Sequence, residues 1–251
     1  MSESKKAGES RYNRQELVSF IGKEGQEKIS KASVAVVGIG ALGCVVSDQL
    51  VRAGVGSIRL IDPDTPEVSN IQRQILIDEQ DVKNRTPKVE AAAAKLRRTN
   101  SSVSVETHKT RMDPSNAEAL LSNVDLVLDG TDNFEARYLI NRTCLKLGTP
   151  WIFGGVLAAA GMCFPILPSG PCLECALGPE PPPGSVPSTD ERGVLASVVS
   201  TVGSLEVVRA LRYFCSEKVE AKLVTMDLER ESYRVIPIER DPDCQACSSH
   251  N

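Results

Sequence analysis

The sequence has few aromatic residues, little histidine and no excess of positive charge. Aromatic side chains make up 4% of its 251 residues, and histidine occurs twice. Lys and Arg together number 29 against 33 for Asp and Glu, which gives a formal net charge of −4. A nucleic-acid-binding surface usually needs a basic patch, and often aromatic rings on which bases stack. The composition therefore argues against a nucleic-acid partner.

An uninterrupted apolar run of membrane-spanning length is also lacking. The longest stretch without a charged residue, residues 147–173, contains five Gly and four Pro. A lipid-exposed helix interrupted in this way would leave backbone groups unpaired, so we interpret the stretch as buried strands and turns. Residues 1–10 are polar and show no secretory signal pattern. We expect a cytoplasmic protein without a membrane partner.

Eight cysteines are present, and four of them form the C-x-x-C pairs Cys172/Cys175 and Cys244/Cys247. Without a secretory signal, such pairs favour metal binding or redox chemistry over disulfides. Four thiolates suit a closed tetrahedral Zn²⁺ site, while an Fe–S centre and a thioredoxin-type redox pair are the alternatives. Because the pairs are far apart in the sequence, the fold must bring them together. We expect a structural zinc that tethers the tail, residues 240–251, to the body.

Short β-branched runs alternate with helical patterns over residues 33–147. This alternation predicts an α/β fold with a doubly wound, Rossmann-like sheet whose N-terminal half is parallel. Later strands have a single helix among them, which predicts a partly antiparallel C-terminal half. The predicted strands are residues 33–37, 57–61, 103–106, 124–128, 151–153, 161–167, 222–226 and 233–238. The predicted helices are residues 41–53, 87 onward with Thr86 as N-cap, 133–147, and 195–215 with an interruption at Gly203.

No internal repeat or long linker is present, so we expect residues 1–251 to form one domain. Residues 1–30 are predicted to form an N-terminal helical arm. Five prolines between residues 179 and 187 predict a mobile loop over residues 176–194, the proline-rich loop.

A glycine loop lies between the first predicted strand and the first long predicted helix. Gly38, Gly40 and Gly43 fit the pattern G-x-G-x-x-G, and Asp62 directly follows the next predicted strand. Glycines let the backbone approach a phosphate closely, the helix N-terminus favours its charge, and the acid can bind ribose hydroxyls. The pattern predicts a nucleotide site. On its own it also fits NAD, or glycines that only pack a helix on a strand.

Four carboxylates follow predicted strands, whose carboxyl ends meet at one edge of a parallel sheet. They belong to Asp62, Asp64, Asp129 and Asp132. Beside a phosphate-binding loop such charges repel one another unless a cation intervenes, and Mg²⁺ commonly bridges carboxylate and phosphate. Asp129 and Asp132 also fit a turn in the sequence Asp-Gly-Thr-Asp. A magnesium ligand and a turn-forming role are both open interpretations for these two residues.

Cationic and amide side chains are expected near the same edge. Arg73 lies within residues 70–74, Asn-Ile-Gln-Arg-Gln, and arginine can bind phosphate through two parallel hydrogen bonds. Lys88 lies in the first turn of its predicted helix, where the helix dipole disfavours a cation. A bound polyphosphate would reverse that penalty, and a solvated lysine at a helix end is the alternative.

Together these motifs resemble the ThiF/MoeB/HesA family, which is related to ubiquitin-activating enzymes. The resemblance runs from residue 11 to residue 247, and the pattern is most similar to MoeB-type adenylyltransferases and archaeal modifier-activating enzymes. The matching motifs are residues 11–15, 37–43, 53–56, 62–64, 69–74, 87–90, 129–133, 193–194 and 202–204, and both cysteine pairs.

The resemblance implies a single-domain adenylyltransferase that uses ATP and Mg²⁺. Such an enzyme adenylates the C-terminal glycine of a small ubiquitin-like β-grasp protein ending in Gly-Gly and releases pyrophosphate. A sulfurtransferase or persulfide donor then yields a thiocarboxylate for molybdopterin, thiamine or tRNA thiolation, or the adenylate serves conjugation.

The resemblance also implies roles for individual residues. The implied catalytic residues are Arg14, Arg73, Lys88 and Asp132. Asp132 would hold Mg²⁺, and Arg14 would come from the partner subunit of a homodimer. The implied nucleotide-binding residues are Gly38, Gly40, Ala41, Gly43, Asp62, Asp64, Ser69, Asn70, Gln72, Arg73, Gln74, Lys88, Asp132 and Asn133.

One position departs from the family pattern, and two other functions stay open. Thr189 stands where some family members carry a cysteine in the crossover loop, which corresponds to the proline-rich loop, so we expect no covalent intermediate there. An NAD-dependent oxidoreductase with a structural zinc would use the glycine loop but leave Arg73 and Lys88 without a role. A tRNA-modifying relative of the same family is the other alternative.

Overall fold

The computed structural model describes residues 10–182, 184–216 and 218–248. Residues 1–9 of the predicted arm, Pro183 of the proline-rich loop and residues 249–251 of the tail lie outside this part of the chain. Strands β1 to β8 are Ser33–Val37, Ser57–Ile61, Ser104–His108, Leu126–Asp129, Trp151–Leu157, Ala160–Ile166, Lys222–Asp227 and Ser232–Pro237. Helices α1 to α9 are Gly22–Ile29, Ala41–Ala53, Glu79–Lys83, Lys88–Thr99, Ala117–Leu121, Phe134–Leu147, Leu173–Leu177, Thr189–Arg192 and Ala196–Phe214.

The eight strands form one sheet in the order β3-β2-β1-β4-β5-β6-β7-β8. Strands β1 to β5 pair in parallel, and β5 to β8 pair antiparallel. The predicted doubly wound α/β sheet with an antiparallel C-terminal part is confirmed. The strand order reverses between β1 and β4, and open sheets bind ligands outside the carboxyl ends of strands at such a point. The topology thus directs attention to the loops that follow β1 and β4.

Apolar helix faces cover both sides of the sheet. Along β1, Val34 and Val36 face one buried cluster, which includes residues of α2, α4 and α9. Ala35 and Val37 face the other cluster, where α5 and α6 pack with large side chains such as Trp151. A parallel strand buried on both faces carries a continuous apolar run rather than an alternating one. The apolar run Ser-Val-Ala-Val-Val therefore corresponds to the whole of β1, and the strand predicted from it has the correct bounds.

The last long helix differs from its prediction. An interruption at Gly203 is expected from the sequence, but α9 runs unbroken from Ala196 to Phe214. A Cβ atom on Gly203 would lie 2.8 Å from Cγ1 of Val45 in α2. The glycine therefore permits close contact between α9 and α2, and the packing gained offsets its low helix propensity.

Two N-terminal boundaries also differ from expectation. Helix α4 begins at Lys88 with Pro87 as its N-cap, rather than at Pro87 with Thr86 as N-cap. The Lys88 N–H donates to the carbonyl of Asp64 at 2.9 Å, so a tertiary contact sets this helix start. In the arm, only α1 is an α-helix, and residues 11–21 form successive turns. Within the described residues, no helix is both long and apolar enough to cross a bilayer.

We predict that Gly43→Ala destabilises the protein, because its Cβ atom would lie 1.9 Å from the carbonyl oxygen of Gly38. The backbone must move, and overpacking of this kind costs about 1–3 kcal/mol. Urea denaturation measures the change in the free energy of unfolding. The control is Gly170→Ala, where the nearest atom is 3.5 Å away. An equal loss of stability in both variants would contradict the prediction.

Candidate active site

A cavity of about 450 Å³ lies beyond the carboxyl ends of β1, β2 and β4. The loops after these strands form its walls, together with the start of α4 and one face of α6. It brings together most residues of the predicted nucleotide site. Those that line it are Gly38, Gly40, Ala41, Asp62, Asp64, Arg73, Gln74, Lys88, Asp132 and Asn133.

Asp62 fixes the glycine loop through a hydrogen bond to its backbone. One carboxylate oxygen of this buried residue accepts from the Ile39 N–H at 2.7 Å, and the other accepts from the Asp64 N–H at 2.8 Å. Burial raises the pKa of Asp62, while Lys88 and the two N–H donors act in the opposite direction. The carboxylate thus fixes the turn of the loop as well as facing the cavity, a role that the sequence pattern does not reveal.

Two cations reach the cavity with partners already in place. Lys88 is 8% exposed, and its Nζ lies 3.1 Å from Oδ2 of Asp64. Nη1 of Arg73 donates to the carbonyl of Ser69 at 2.9 Å. Beside them the amide oxygen of Gln74 is buried without a hydrogen-bond partner among the described residues. These contacts hold donors and acceptors in place before any substrate arrives.

In the Asp-Gly-Thr-Asp segment, Asp129 and Asp132 occupy different environments, so the turn-forming role and the magnesium role fall to different residues. Asp129 is fully buried, lies 3.1 Å from Nε of Arg137, and accepts from Thr131 N–H and Oγ1 at 2.8 and 2.6 Å. Burial raises its pKa, against the opposing Arg137 charge. Asp132 is exposed and faces the cavity, and Asn133 caps α6 by accepting from the Ala136 N–H. Asp129 therefore builds the turn, and Asp132 remains the candidate metal ligand.

Other predicted residues stand behind the cavity wall or away from it. Gly43 packs against Gly38, and Oδ1 of Asn70 accepts from the Glu67 N–H in the 3₁₀ turn Val68–Asn70. Ser69 supplies the carbonyl that holds Arg73. Gln72 and Arg14 are exposed and do not line the cavity of their own chain.

The cavity also contains residues that the sequence analysis missed. They come from the loop after β3, from α6 and from β5. Residues 110–114 follow a strand, so the rule applied to Asp62 would have found them. The α6 side chains carry no comparable signal. The missed lining residues include Thr110, Arg111, Met112, Glu135, Arg137, Leu139, Arg142 and Val156. Thr189 and Val194 of the proline-rich loop, noted in the sequence only as part of the family pattern, also line the cavity.

The arm that carries Arg14 is fastened to the body on both sides of this residue. The Tyr12 hydroxyl accepts from Nδ2 of Asn100 at 2.8 Å, and Nε2 of Gln15 donates to the carbonyl of Ala53 at 2.9 Å. Leu17 nearby is 74% exposed. An exposed arginine and an exposed leucine therefore lie close together in sequence on a segment that is fixed to the body.

The two cysteine pairs meet in one cluster. The Sγ atoms of Cys172 and Cys244 are 3.6 Å apart, as are those of Cys175 and Cys247, and Cys172–Cys175 is 3.9 Å. Tetrahedral zinc with Zn–S bonds near 2.3 Å requires sulfur–sulfur separations of about 3.8 Å. The donor set and its spacing thus fit a metal ion. Within the first pair, Cys172 is the N-cap of the short helix α7.

Comparison with known proteins assigns the family. Residues 12–246 match the ThiF family. The chain is 38% identical over 245 residues to a sulfur carrier protein adenylyltransferase of Thermus thermophilus, covering 94% of this chain and 90% of the relative. It is 36% identical over 239 residues to the SAMP-activating enzyme E1 of Haloferax volcanii, covering 94% and 88%. The crystal structure of E. coli MccB with ATP shares the fold, with a TM-score of 0.83 at 22% identity over 96% of this chain and 75% of that one.

The chain therefore belongs to the ThiF family, and it is an adenylyltransferase. The resemblance drawn from the sequence motifs is confirmed. Family membership favours adenylation over the NAD-dependent alternative, which explained the glycine loop but not Arg73 and Lys88.

Proposed function

We propose that this single domain uses ATP and Mg²⁺ to adenylate the C-terminal glycine of a small ubiquitin-like β-grasp protein ending in Gly-Gly. The observation that carries the proposal is the meeting of the glycine loop, Arg73, Lys88 and Asp132 in one cavity. A nicotinamide enzyme needs no such combination of phosphate-facing cations and an exposed acid. Adenylation fits this set of groups, because the cations can stabilise phosphate charge and the exposed acid can hold Mg²⁺.

The nucleotide is expected to lie across the start of α2, with its phosphates near the glycine N–H groups and its ribose near Asp62. The carrier carboxylate attacks the α-phosphorus, the bond to the β-phosphate oxygen breaks, and pyrophosphate leaves. Lys88 and Arg73 stabilise negative charge that grows on the phosphate oxygens. The nucleophile is already ionised, so the reaction needs no general base. Asp132 offers the oxygen ligand that Mg²⁺ prefers, and the bound ion would neutralise phosphate charge.

Lys88→Ala tests the proposal, with Lys95→Ala as its matched control. Both lysines lie on α4 and pair with aspartates, Lys88 with Asp64 and Lys95 with Asp78 and Asp81, but Lys95 does not line the cavity. We expect Lys88→Ala to slow ATP–pyrophosphate exchange about 10²–10³-fold, the cost of one preorganised charge contact. The assay uses β-grasp proteins ending in Gly-Gly from the same genome. Similar rates in both variants would refute the role of Lys88.

The active site is proposed to be completed by a second copy of the chain. Arg14 is exposed and does not line the cavity of its own chain, and its arm is fixed by Tyr12 and Gln15. In a homodimer with two-fold symmetry, each arm could supply its arginine to the cavity of the partner. The exposed side chains of Leu17 and Val18 would be buried at that contact.

Subunit mixing tests this arrangement. Arg14→Ala and Asp132→Ala chains are each expected to be inactive alone. After exchange, about a quarter of all sites should recover, because half of the dimers are mixed and each mixed dimer has one intact site. No recovery after mass spectrometry has verified subunit exchange would reject a shared site.

The cysteine cluster is proposed to hold one zinc ion with a structural role, joining residues 244–247 to residues 172–175. We predict that Cys175→Ser loses most of the bound zinc and lowers the unfolding temperature, since structural zinc contributes folding energy directly. Cys215→Ser is the control, because Cys215 is also half-buried and lies outside the cluster. Elemental analysis that finds iron, or a stable active protein without metal, would overturn the assignment.

The adenylate is proposed to remain bound until an external sulfurtransferase or persulfide donor attacks it. Thr189 lines the cavity at the position where some family members carry cysteine, and its hydroxyl is not ionised near neutral pH. Burial raises the pKa of the Cys44 thiol to about 12, and it also raises the pKa of Cys144 and of Cys163. None of these thiols is therefore a ready nucleophile. The proline-rich loop would shield the adenylate from water.

A further inference from the structure

Arg137 is a buried arginine that contacts the Asp-Gly-Thr-Asp turn and the neighbouring strand β5. It lies on α6 and is 6% exposed. Its Nε donates to Oδ2 of Asp129 at 3.1 Å, and its Nη2 donates to the carbonyls of Thr131 at 2.8 Å and Gly154 at 3.3 Å. The guanidinium also lies over two aromatic rings, with its Cζ 5.2 Å from the centroid of Phe134 and 5.3 Å from that of Phe153.

These contacts fix the backbone on one side of Asp132. The carbonyl of Thr131 accepts a hydrogen bond from Arg137, while the N–H and Oγ1 of Thr131 donate to Asp129. On the other side, Asn133 is fixed as the N-cap of α6. Asp132 itself is exposed and accepts only a 3.3 Å hydrogen bond from Nδ2 of Asn133 among the described contacts. The direction of its carboxylate is therefore set through its two neighbours.

The arrangement has the physical form of an outer support for a metal ligand. A ligand on a loose loop loses conformational freedom when it binds an ion, and groups that hold it in advance reduce this cost. A planar guanidinium is suited to the task, because it can bond several acceptors at fixed angles while aromatic faces keep its plane in place. A lysine in the same position would offer a compact charge without that geometry.

We propose that Arg137 is a positioning residue for magnesium: it holds Thr131 and Asp129 so that Asp132 presents its carboxylate to the ion that accompanies ATP. The proposal rests on the proposed role of Asp132 as the magnesium ligand. It assigns a function in the adenylation site to a residue outside the sequence motifs considered above. Arg137 acts through the turn and does not itself hold the nucleotide.

Arg137→Lys tests the proposal, with Arg209→Lys as its matched control. Arg209 is also a buried arginine, 9% exposed, and donates to Sγ of Cys163 and to the carbonyl of Lys222. It does not line the cavity. Both variants lose directed hydrogen bonds from a buried guanidinium, so both should be destabilised. Only Arg137→Lys should change how the protein responds to a divalent ion.

Isothermal titration calorimetry measures ATP affinity over a range of Mg²⁺ concentrations, and electron paramagnetic resonance measures Mn²⁺ binding to the enzyme–ATP complex. For Arg137→Lys we expect the ion concentration at half-maximal effect to rise about 10–100-fold, as is usual when the support of a metal ligand is removed. At saturating ion, ATP affinity should return to within about twofold of wild type. Arg209→Lys should leave the ion dependence unchanged.

Three results would overturn the proposal. An unchanged ion dependence in Arg137→Lys would reduce the residue to a structural role. Weaker ATP binding by an equal factor at zero and saturating Mg²⁺ would mean that Arg137 contacts the nucleotide itself. A wild-type ion dependence in Asp132→Asn would remove the magnesium role of Asp132, and this failure of the proposed function is distinct from a failure of Arg137 alone.

A second variant keeps the test decisive if Arg137→Lys does not fold. Thr131→Ala removes only the Oγ1 hydrogen bond to Asp129, at a half-buried position where no charge is lost. It should raise the half-maximal Mg²⁺ concentration about threefold, in keeping with the loss of one hydrogen bond. No change in a folded Thr131→Ala protein would count against the support of Asp132 by this turn.

Discussion

Three glycines bring the two turns of the site closer together than any side chain would allow. A Cβ atom on Gly130 would lie 2.1 Å from the carbonyl oxygen of Gly38, and one on Gly43 would lie 1.9 Å from the same oxygen. The turn after β1 and the turn after β4 thereby pack directly against each other, and both line the cavity. Asp62 fixes the first turn through Ile39, and Asp129 fixes the second through Thr131. This contact therefore sets how closely the two turns that border the cavity approach each other.

Charges at the site are arranged in pairs of protein groups before any substrate binds. Lys88 pairs with Asp64, and Asp129 with Arg137. The Asp129–Arg137 pair is buried, whereas Asp64 is exposed. Neither pair adds much net stability, because lost hydration offsets the attraction in a buried pair and solvent screens an exposed one. Their value lies in orientation. The Asp129–Arg137 pair fixes the turn after β4, and in the proposed reaction Lys88 already lies at the cavity where negative charge would develop, so little reorganisation would be needed.

Sequence patterns predict the sheet well because they record local requirements. β-Branched runs, a glycine loop and acids at strand ends each depend on a few adjacent residues, and these correctly indicate the strands and the placement of Asp62, Lys88 and Asp132. Gly203 shows the limit, since its role arises from contact with Val45 in a helix at the opposite end of the sequence. Arg137 is similar: its partners come from β4, β5 and the turn between β4 and α6. No local spacing encodes such a meeting.

The proline-rich loop is fastened at both of its ends. Near its start, directly after α7, the Tyr138 hydroxyl donates to the carbonyl of Gly178 at 2.6 Å. Near its end, the Ala158 N–H donates to the carbonyl of Gly193 at 2.8 Å, and the Leu195 N–H donates to the carbonyl of Ala158 at 2.9 Å. A loop that is hydrogen-bonded near both ends can move away from the cavity only as far as the chain between those two points permits. If the loop moves as the sequence predicts, these hydrogen bonds would limit how far the cavity opens. A change at either end would then alter which molecules can enter, although no hydrogen bond named here involves Arg73, Lys88 or Asp132.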